Sequence, residues 1–160
     1  MKIAIGSDHA GFSLKEDLKY KLDRDMNATV IDVGTTSEES VDYPIFAEKV
    51  VRLVQKKDVD FGILICGTGI GMSIAANKFE GIRAAKCNSA VEATLTRQHN
   101  DANILCLASR TVDEEIAMQI VKAFSMTDFS AEERHVRRLS MITGLECTNY
   151  DEMRKKRTTF

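Results

Sequence analysis

Residues 61–71 read FGILICGTGIG. The first six, Phe61 to Cys66, are apolar with no polar alternation and include β-branched Ile63 and Ile65. That is the pattern of a strand buried on both faces. Glycine then recurs at Gly67, Gly69 and Gly71 around Thr68, and GMSIAANKF after it reads as a helix. Strand, glycine loop and helix in that order bring backbone N–H groups and the positive end of a helix dipole to one point, where an anion or a developing oxyanion can be held. A thiol placed there is expected to ionise more readily, since thiolates are favoured at helix N-termini.

Outward from this stretch the chain alternates between short apolar runs and helical patterns. KIAIGSD (2–8) is a strand, followed by a helix, GFSLKEDLKYKL (11–22), with Leu14, Leu18 and Leu22 four apart on one stripe. ATVIDVG (28–34) is a second strand. A polar loop then runs to Pro44, the only proline, which suits the first turn of a helix. In that helix Ile45, Phe46, Val50, Leu53 and Val54 are expected to face inward. IRAAKC (82–87) and NILCLAS (103–109) are the fourth and fifth strands, with the helix VEATLTRQH (91–99) between them. Thr111 with Glu114 and Ser130 with Glu133 fit capping boxes opening two last helices. Such alternation predicts an α/β fold of three layers, a doubly wound parallel sheet of about five strands with helices on both faces. A C-terminal helical extension occupies residues 145–160, and the whole of 1–160 is expected to be one domain.

Composition excludes several classes. Hydrophobic residues make up 44% and charged residues 29%, ordinary for a globular protein, and the net charge of −2 gives no reason to expect nucleic acid or an anionic membrane as partner. The N-terminal apolar run stops at Asp8, too short for a signal peptide, and nothing approaches a membrane span. Cys66, Cys87, Cys106 and Cys147 are widely spread, which suggests thiols in a reducing, cytoplasmic setting and not a disulfide framework. Cys87, Cys106 and Cys147 read as small buried hydrophobes. The basic tail MRKKRTTF reads as favourable charge at a helix C-terminus, then fraying.

In a doubly wound sheet, ligands bind where strands end at their carboxyl edge. The first strand delivers Asp8 and His9 there, the third Cys66 and the glycine loop, the fifth Ser109 and Arg110. The loop is not a dinucleotide fingerprint, because its spacing is G-x-G-x-G and the next strand ends in Lys86-Cys87-Asn88 with no acid. Nor is it a Walker-type phosphate loop, which needs Gly-Lys-Ser/Thr. A cysteine phosphatase would have an arginine where Met72 stands. The bland alternative is that these glycines only let helix and sheet approach closely, with Cys66 a core thiol.

His9 has both a crevice role and a structural hydrogen-bonding role open to it. His99 and Asn100 follow a helix and precede the fifth strand, which puts them at the amino edge of the sheet, away from Cys66. If His99 is functional it must reach the site of a neighbouring subunit, a geometric reason to expect a dimer. A zinc site from Cys66, His9 and His99 lacks close ligand spacing. Arg134 and Arg138 share a helix face. They form either a solvated surface helped by a Glu133–Arg137 pair or a phosphate clamp.

GSDHAGF near the start, DVGT, Tyr43-Pro44, ICGTGIGM, HNDANILCL and RHVRR together resemble the ribose-5-phosphate isomerase B family, over residues 2 to about 145. The family includes galactose-6-phosphate isomerase subunits and allose-6-phosphate isomerases. The resemblance implies a Rossmann-like sheet and an aldose–ketose isomerase with no metal and no cofactor. It also implies dimers or tetramers with active sites at the subunit interface.

By the same resemblance, Cys66 moves a proton between C1 and C2 of the open-chain sugar, and Gly67, Gly69, Ile70 and Gly71 offer N–H groups to the enediolate. Thr68 and His99 assist ring opening. Asp8, His9 and Tyr43 contact the sugar phosphate, Asn100 binds near the enediolate, and Arg110, Arg134 and Arg138 suit the phosphate. Some relatives replace the cysteine by serine and use a glutamate four residues later. Here that position is Ile70, which leaves Cys66 as the loop's only base. The expected substrate is ribose 5-phosphate or ribulose 5-phosphate. A six-carbon sugar phosphate, a non-catalytic sugar-phosphate sensor and a thiol redox protein stay open as alternatives.

Overall fold

The computed structural model describes the backbone of residues 1–157 and side chains through Glu146. Five strands and six helices follow in order. They are β1 (Lys2–Ser7), α1 (Phe12–Met26), β2 (Thr29–Asp32), α2 (Tyr43–Gln55), β3 (Phe61–Cys66), α3 (Ile70–Ala76), β4 (Ala84–Lys86), α4 (Ala90–Asn100), β5 (Ile104–Ala108), α5 (Glu114–Met126) and α6 (Glu133–Arg157). A single 3-10 turn, His9–Gly11, joins β1 to α1.

All strand pairs are parallel, in the order β2-β1-β3-β5-β4. Strand β3 is central and every residue in it is buried, as its unbroken apolar run requires. On one face Leu14, Leu18 and Leu22 of α1, with Ile120, Val121 and Phe124 of α5, pack on Ile3, Ile5, Ile63, Ile65, Leu105 and Leu107. On the other face Phe46, Ala47, Val50 and Val51 of α2, with Met72 and Ala76 of α3, cover Ala4, Leu64, Ile104 and Cys106. The three-layer, doubly wound sheet stands as expected. The chain leaves β1 for β2 on one side and returns through β3 on the other, so the switch point lies between β1 and β3. That is where such sheets bind ligands.

Several local expectations change. Ile45 is 55% exposed, because the inward stripe of α2 is Phe46, Ala47, Val50 and Val51; Leu53 and Val54 are only half-buried. Helix α5 is capped by Asp113, whose Oδ1 accepts the Ile116 N–H at 2.8 Å, and not by Thr111, whose hydroxyl donates back to the Ala108 carbonyl. Ser130 likewise does not close a box with Glu133. Its oxygen accepts the Glu132 N–H at 3.3 Å. The assignment of Cys147 to the core concerns a side chain outside those described; of the tail, residues 153–157 belong to α6 and 158–160 lie outside the described residues.

Among the described residues Lys15 is the one lysine buried in the core, 1% exposed. Its ammonium meets Asp32 at 2.5 Å and Glu16 at 2.6 Å, and Lys19 joins Asp32 at 2.7 Å, which makes a neutral quartet beside the end of β2. Burial pushes the Asp32 carboxyl up, but hydrogen bonds from Lys15, Lys19 and the Gly34 N–H outweigh it and hold Asp32 below the ordinary carboxylate range. A carboxyl depressed in the folded state stabilises the fold above its unfolded value, and that stability is lost as pH falls through the folded value. Asp32→Asn should therefore lower Tm at neutral pH and flatten its decline below about pH 4. Parallel acid melts of the two proteins would show that the quartet contributes nothing.

Candidate active site

Cys66 is the last residue of β3 and 5% exposed. It is covered but reaches the surface at the carboxyl edge. The chain turns sharply after it because Gly69 sits at φ +71° as the N-cap of α3, a conformation side chains with a Cβ rarely adopt. This turn aims the Gly69 N–H at the Cys66 sulfur, 3.2 Å away. The Ile70 N–H is turned toward the Thr68 hydroxyl at 3.3 Å, and Thr68 and Ile70 are exposed while Gly67 and Gly69 are buried. One amide donor is thus committed to the sulfur.

Other elements converge on the same edge. The Asp8 N–H donates to the Ile65 carbonyl at 3.3 Å, and the Asp8 carboxylate accepts the Gly11 N–H at 3.0 Å, which shapes the 3-10 turn. His9 Nδ1 accepts the Val41 N–H at 3.2 Å, so the ring proton of a neutral His9 resides on Nε2. A Cβ on Gly67 would lie 3.0 Å from Arg110 Nε, and one on Gly71 would lie 2.9 Å from the Tyr43 ring; both side chains therefore lie flat against the loop backbone. The Ser109 N–H donates to the Cys66 carbonyl at 3.0 Å, and the Arg110 N–H to the Gly67 carbonyl at 3.1 Å.

A second cluster lies at the opposite edge. Arg83, just before β4, donates to the Asn100 carbonyl at 2.9 Å, which fixes the end of α4 at the amino edge of the sheet. There the His99 ring stacks on His135 of α6, with centroids 4.4 Å apart. Arg134 and Arg138 flank His135 on the same helix and are exposed, Arg134 pairing with Glu132 at 2.9 Å. At this exposure the pair holds the guanidinium only weakly.

The sequence profile described as Ribose/Galactose Isomerase matches residues 3–142. The chain belongs to the ribose/galactose isomerase family. It is 48% identical to "Ribose-5-phosphate isomerase B" of Escherichia coli K12 over 145 residues, 91% of this chain and 96% of that one. Among solved structures, the ribose-5-phosphate isomerase B of Clostridium thermocellum superposes with a TM-score of 0.90 at 46% identity, covering 93% of this chain and 99% of its own. That of Thermotoga maritima gives 0.86 at 52%, covering 89% and 97%.

In this ribose/galactose isomerase the candidate residues fall into two groups. Cys66, Thr68, the loop glycines, Ile70, Asp8, His9, Tyr43 and Arg110 come together at the carboxyl edge. His99, Asn100, Arg134 and Arg138 gather elsewhere, on α4 and α6. Cys87 and Cys106 take no part: burial pushes the Cys87 thiol up to about 12, and the Cys106 thiol is raised further. Two residues escaped the sequence reading. Lys86 lies with its stem against the loop (a Cβ on Gly69 would sit 3.0 Å from Lys86 Cγ), and its ammonium donates to Asn88. A cation ending the strand next to the loop was the available signal. The other is His135. No helix among the described residues is long and apolar enough to cross a membrane.

Proposed function

We propose that this chain interconverts ribose 5-phosphate and ribulose 5-phosphate. The observation behind this is the Gly69 N–H at 3.2 Å from a sulfur that ends the central strand, inside a loop with no other titratable side chain. Cys66 as thiolate takes the proton from C2 of the aldose, the C1 oxygen becomes the enediolate oxygen facing the loop, the O2 proton passes to O1, and Cys66 returns its proton to C1 as C2 becomes the carbonyl. Asp8, His9 and Tyr43 orient the sugar, and Arg110 meets phosphate from the same edge. Thr68 and His99 act on the ring form, Asn100 lies by the enediolate, and Arg134 with Arg138 complete the phosphate clamp. Residues 1–160 act as a single cytoplasmic domain, with 145–160 as its C-terminal extension. The names and identities of the relatives favour the five-carbon substrate.

One chain cannot bring His99 to Cys66, because the two stand at opposite edges of one sheet. The site is therefore shared between two copies. Ile70 and Ile74 on α3, with Val91 and Leu95 on α4, are large apolar side chains between 43% and 67% exposed, and they supply surface for that contact.

A coupled isomerase assay over ribose, allose and galactose phosphates tests the substrate; the ribose ester should be turned over fastest. Sharing is tested by complementation. Cys66→Ala and His99→Ala, each inactive alone, should recover about a quarter of wild-type activity when unfolded and refolded together, since half the dimers then hold one whole site of two. No recovery on mixing would place both residues in one chain's site.

A further inference from the structure

Between the two clamp arginines stands a histidine that the chemistry above does not use. His135 is 3% exposed, yet its ring lies at 39° to that of His99, centroids 4.4 Å apart. Its Nδ1 is 2.7 Å from the Ser130 hydroxyl oxygen. That oxygen also accepts the Glu132 N–H at 3.3 Å, so the hydroxyl that holds the ring is itself held by the start of α6. Ser130 is itself tied to α4 through its N–H to the Gln98 carbonyl at 3.1 Å. Burial, then the neighbouring His99, Arg134 and Arg138, hold His135 below the ordinary imidazole range against the opposing pull of Glu132. The result is a buried ring, anchored by Ser130, packed against the half-buried ring of His99.

We propose that His135 is the positioning residue for His99, fixing the ring direction from which His99 opens the cyclic sugar. This rests on the isomerase reading given above. In ring opening the C1 hydroxyl gives up its proton, C1 becomes a carbonyl, and the C1–O4 bond breaks. A proton is delivered to O4, so none is gained or lost. A proton transfer of this kind contributes about 10²–10⁴ in rate and depends on sub-ångström placement.

The ketose provides the control. Ribulose 5-phosphate has its C5 oxygen esterified and no ring to open, so solvent deuterium enters it through the enediolate without His99. His135→Ala should slow turnover of ribose 5-phosphate about tenfold while deuterium wash-in to ribulose 5-phosphate stays at the wild-type rate. His135→Phe, which restores a ring but not the Ser130 bond, should recover most of the loss. Equal losses in both assays, no loss in either, or a phenylalanine variant as slow as alanine would overturn the positioning role. If His135→Ala fails to fold, Ser130→Ala cuts only the anchor and should show the same split on a smaller scale; equal effects in the two assays overturn the proposal there as well. Failure of the wild-type protein to exchange deuterium at all would instead overturn the isomerase reading itself.

Discussion

Replacing Cys66 by alanine is expected to lower isomerisation by about 10³- to 10⁴-fold, the upper range for loss of a proton-transfer group. The loop itself offers no substitute: Gly67, Thr68, Gly69, Ile70 and Gly71 have no side chain that takes a proton at neutral pH. Serine at position 66 should fare little better, because a hydroxyl gives up its proton far less readily than a thiol and would be mostly un-ionised. The fold should survive, since one sulfur is lost from a site packed by Ala4, Leu64, Met72 and Cys106. A loss of about 1 kcal/mol moves Tm by roughly 2–4 °C in a chain of this size. Steady-state kinetics with a thermal melt on the same preparation decide it. A variant that melts normally and retains near wild-type turnover would move the base elsewhere.

The next largest effect is expected at Gly69. Its φ of +71° is strained for alanine by about 1–2 kcal/mol. The new Cβ would also meet the Leu107 carbonyl oxygen at 3.1 Å and the Lys86 stem at 3.0 Å. The lysine stem can shift, but the β5 backbone cannot without disturbing the sheet, so the turn itself must open. Opening withdraws the N–H from the Cys66 sulfur and tilts the start of α3. Opening the turn also displaces the neighbouring loop amides that face the enediolate oxygen, and loss of one such donor lowers rate by about 10²–10³. Gly69→Ala should therefore reduce kcat by that factor with KM for the sugar phosphate nearly unchanged, because the phosphate is held by other residues. A rise in KM at constant kcat would mean the loop binds ground state and transition state alike.

How much of this was legible in the sequence follows from the range of the interactions involved. The sheet was legible because β3 and β5 are unbroken apolar runs and helix α1, between β1 and β2, shows the stripe Leu14, Leu18 and Leu22. These signals are local in sequence. Cys66 and the glycine loop were legible for the same reason, as was the separation of His99 from them, since connectivity alone decides which edge a loop occupies. Ile45 was misread because apolar residues spread over ten positions of a helix cannot all share one face. Thr111 and Asp113 both had an acceptor near the start of α5, and the spacing to Glu114 favoured the wrong one. Lys15 was hidden because its partner Asp32 arrives through the pairing of β1 with β2. His135 was hidden because its stack on His99 depends on how α6 crosses α4, which neither stretch encodes alone.

The turn at residues 9–11 has a further consequence. A Cβ on Gly11 would stand 2.6 Å from the Ile65 carbonyl oxygen, so the turn lies directly on the strand that ends in Cys66. With the Asp8 N–H also bonded to that carbonyl, Asp8, His9 and Cys66 are riveted into one body. The carboxyl-edge groups behave as an anvil, fixed in shape before the substrate arrives.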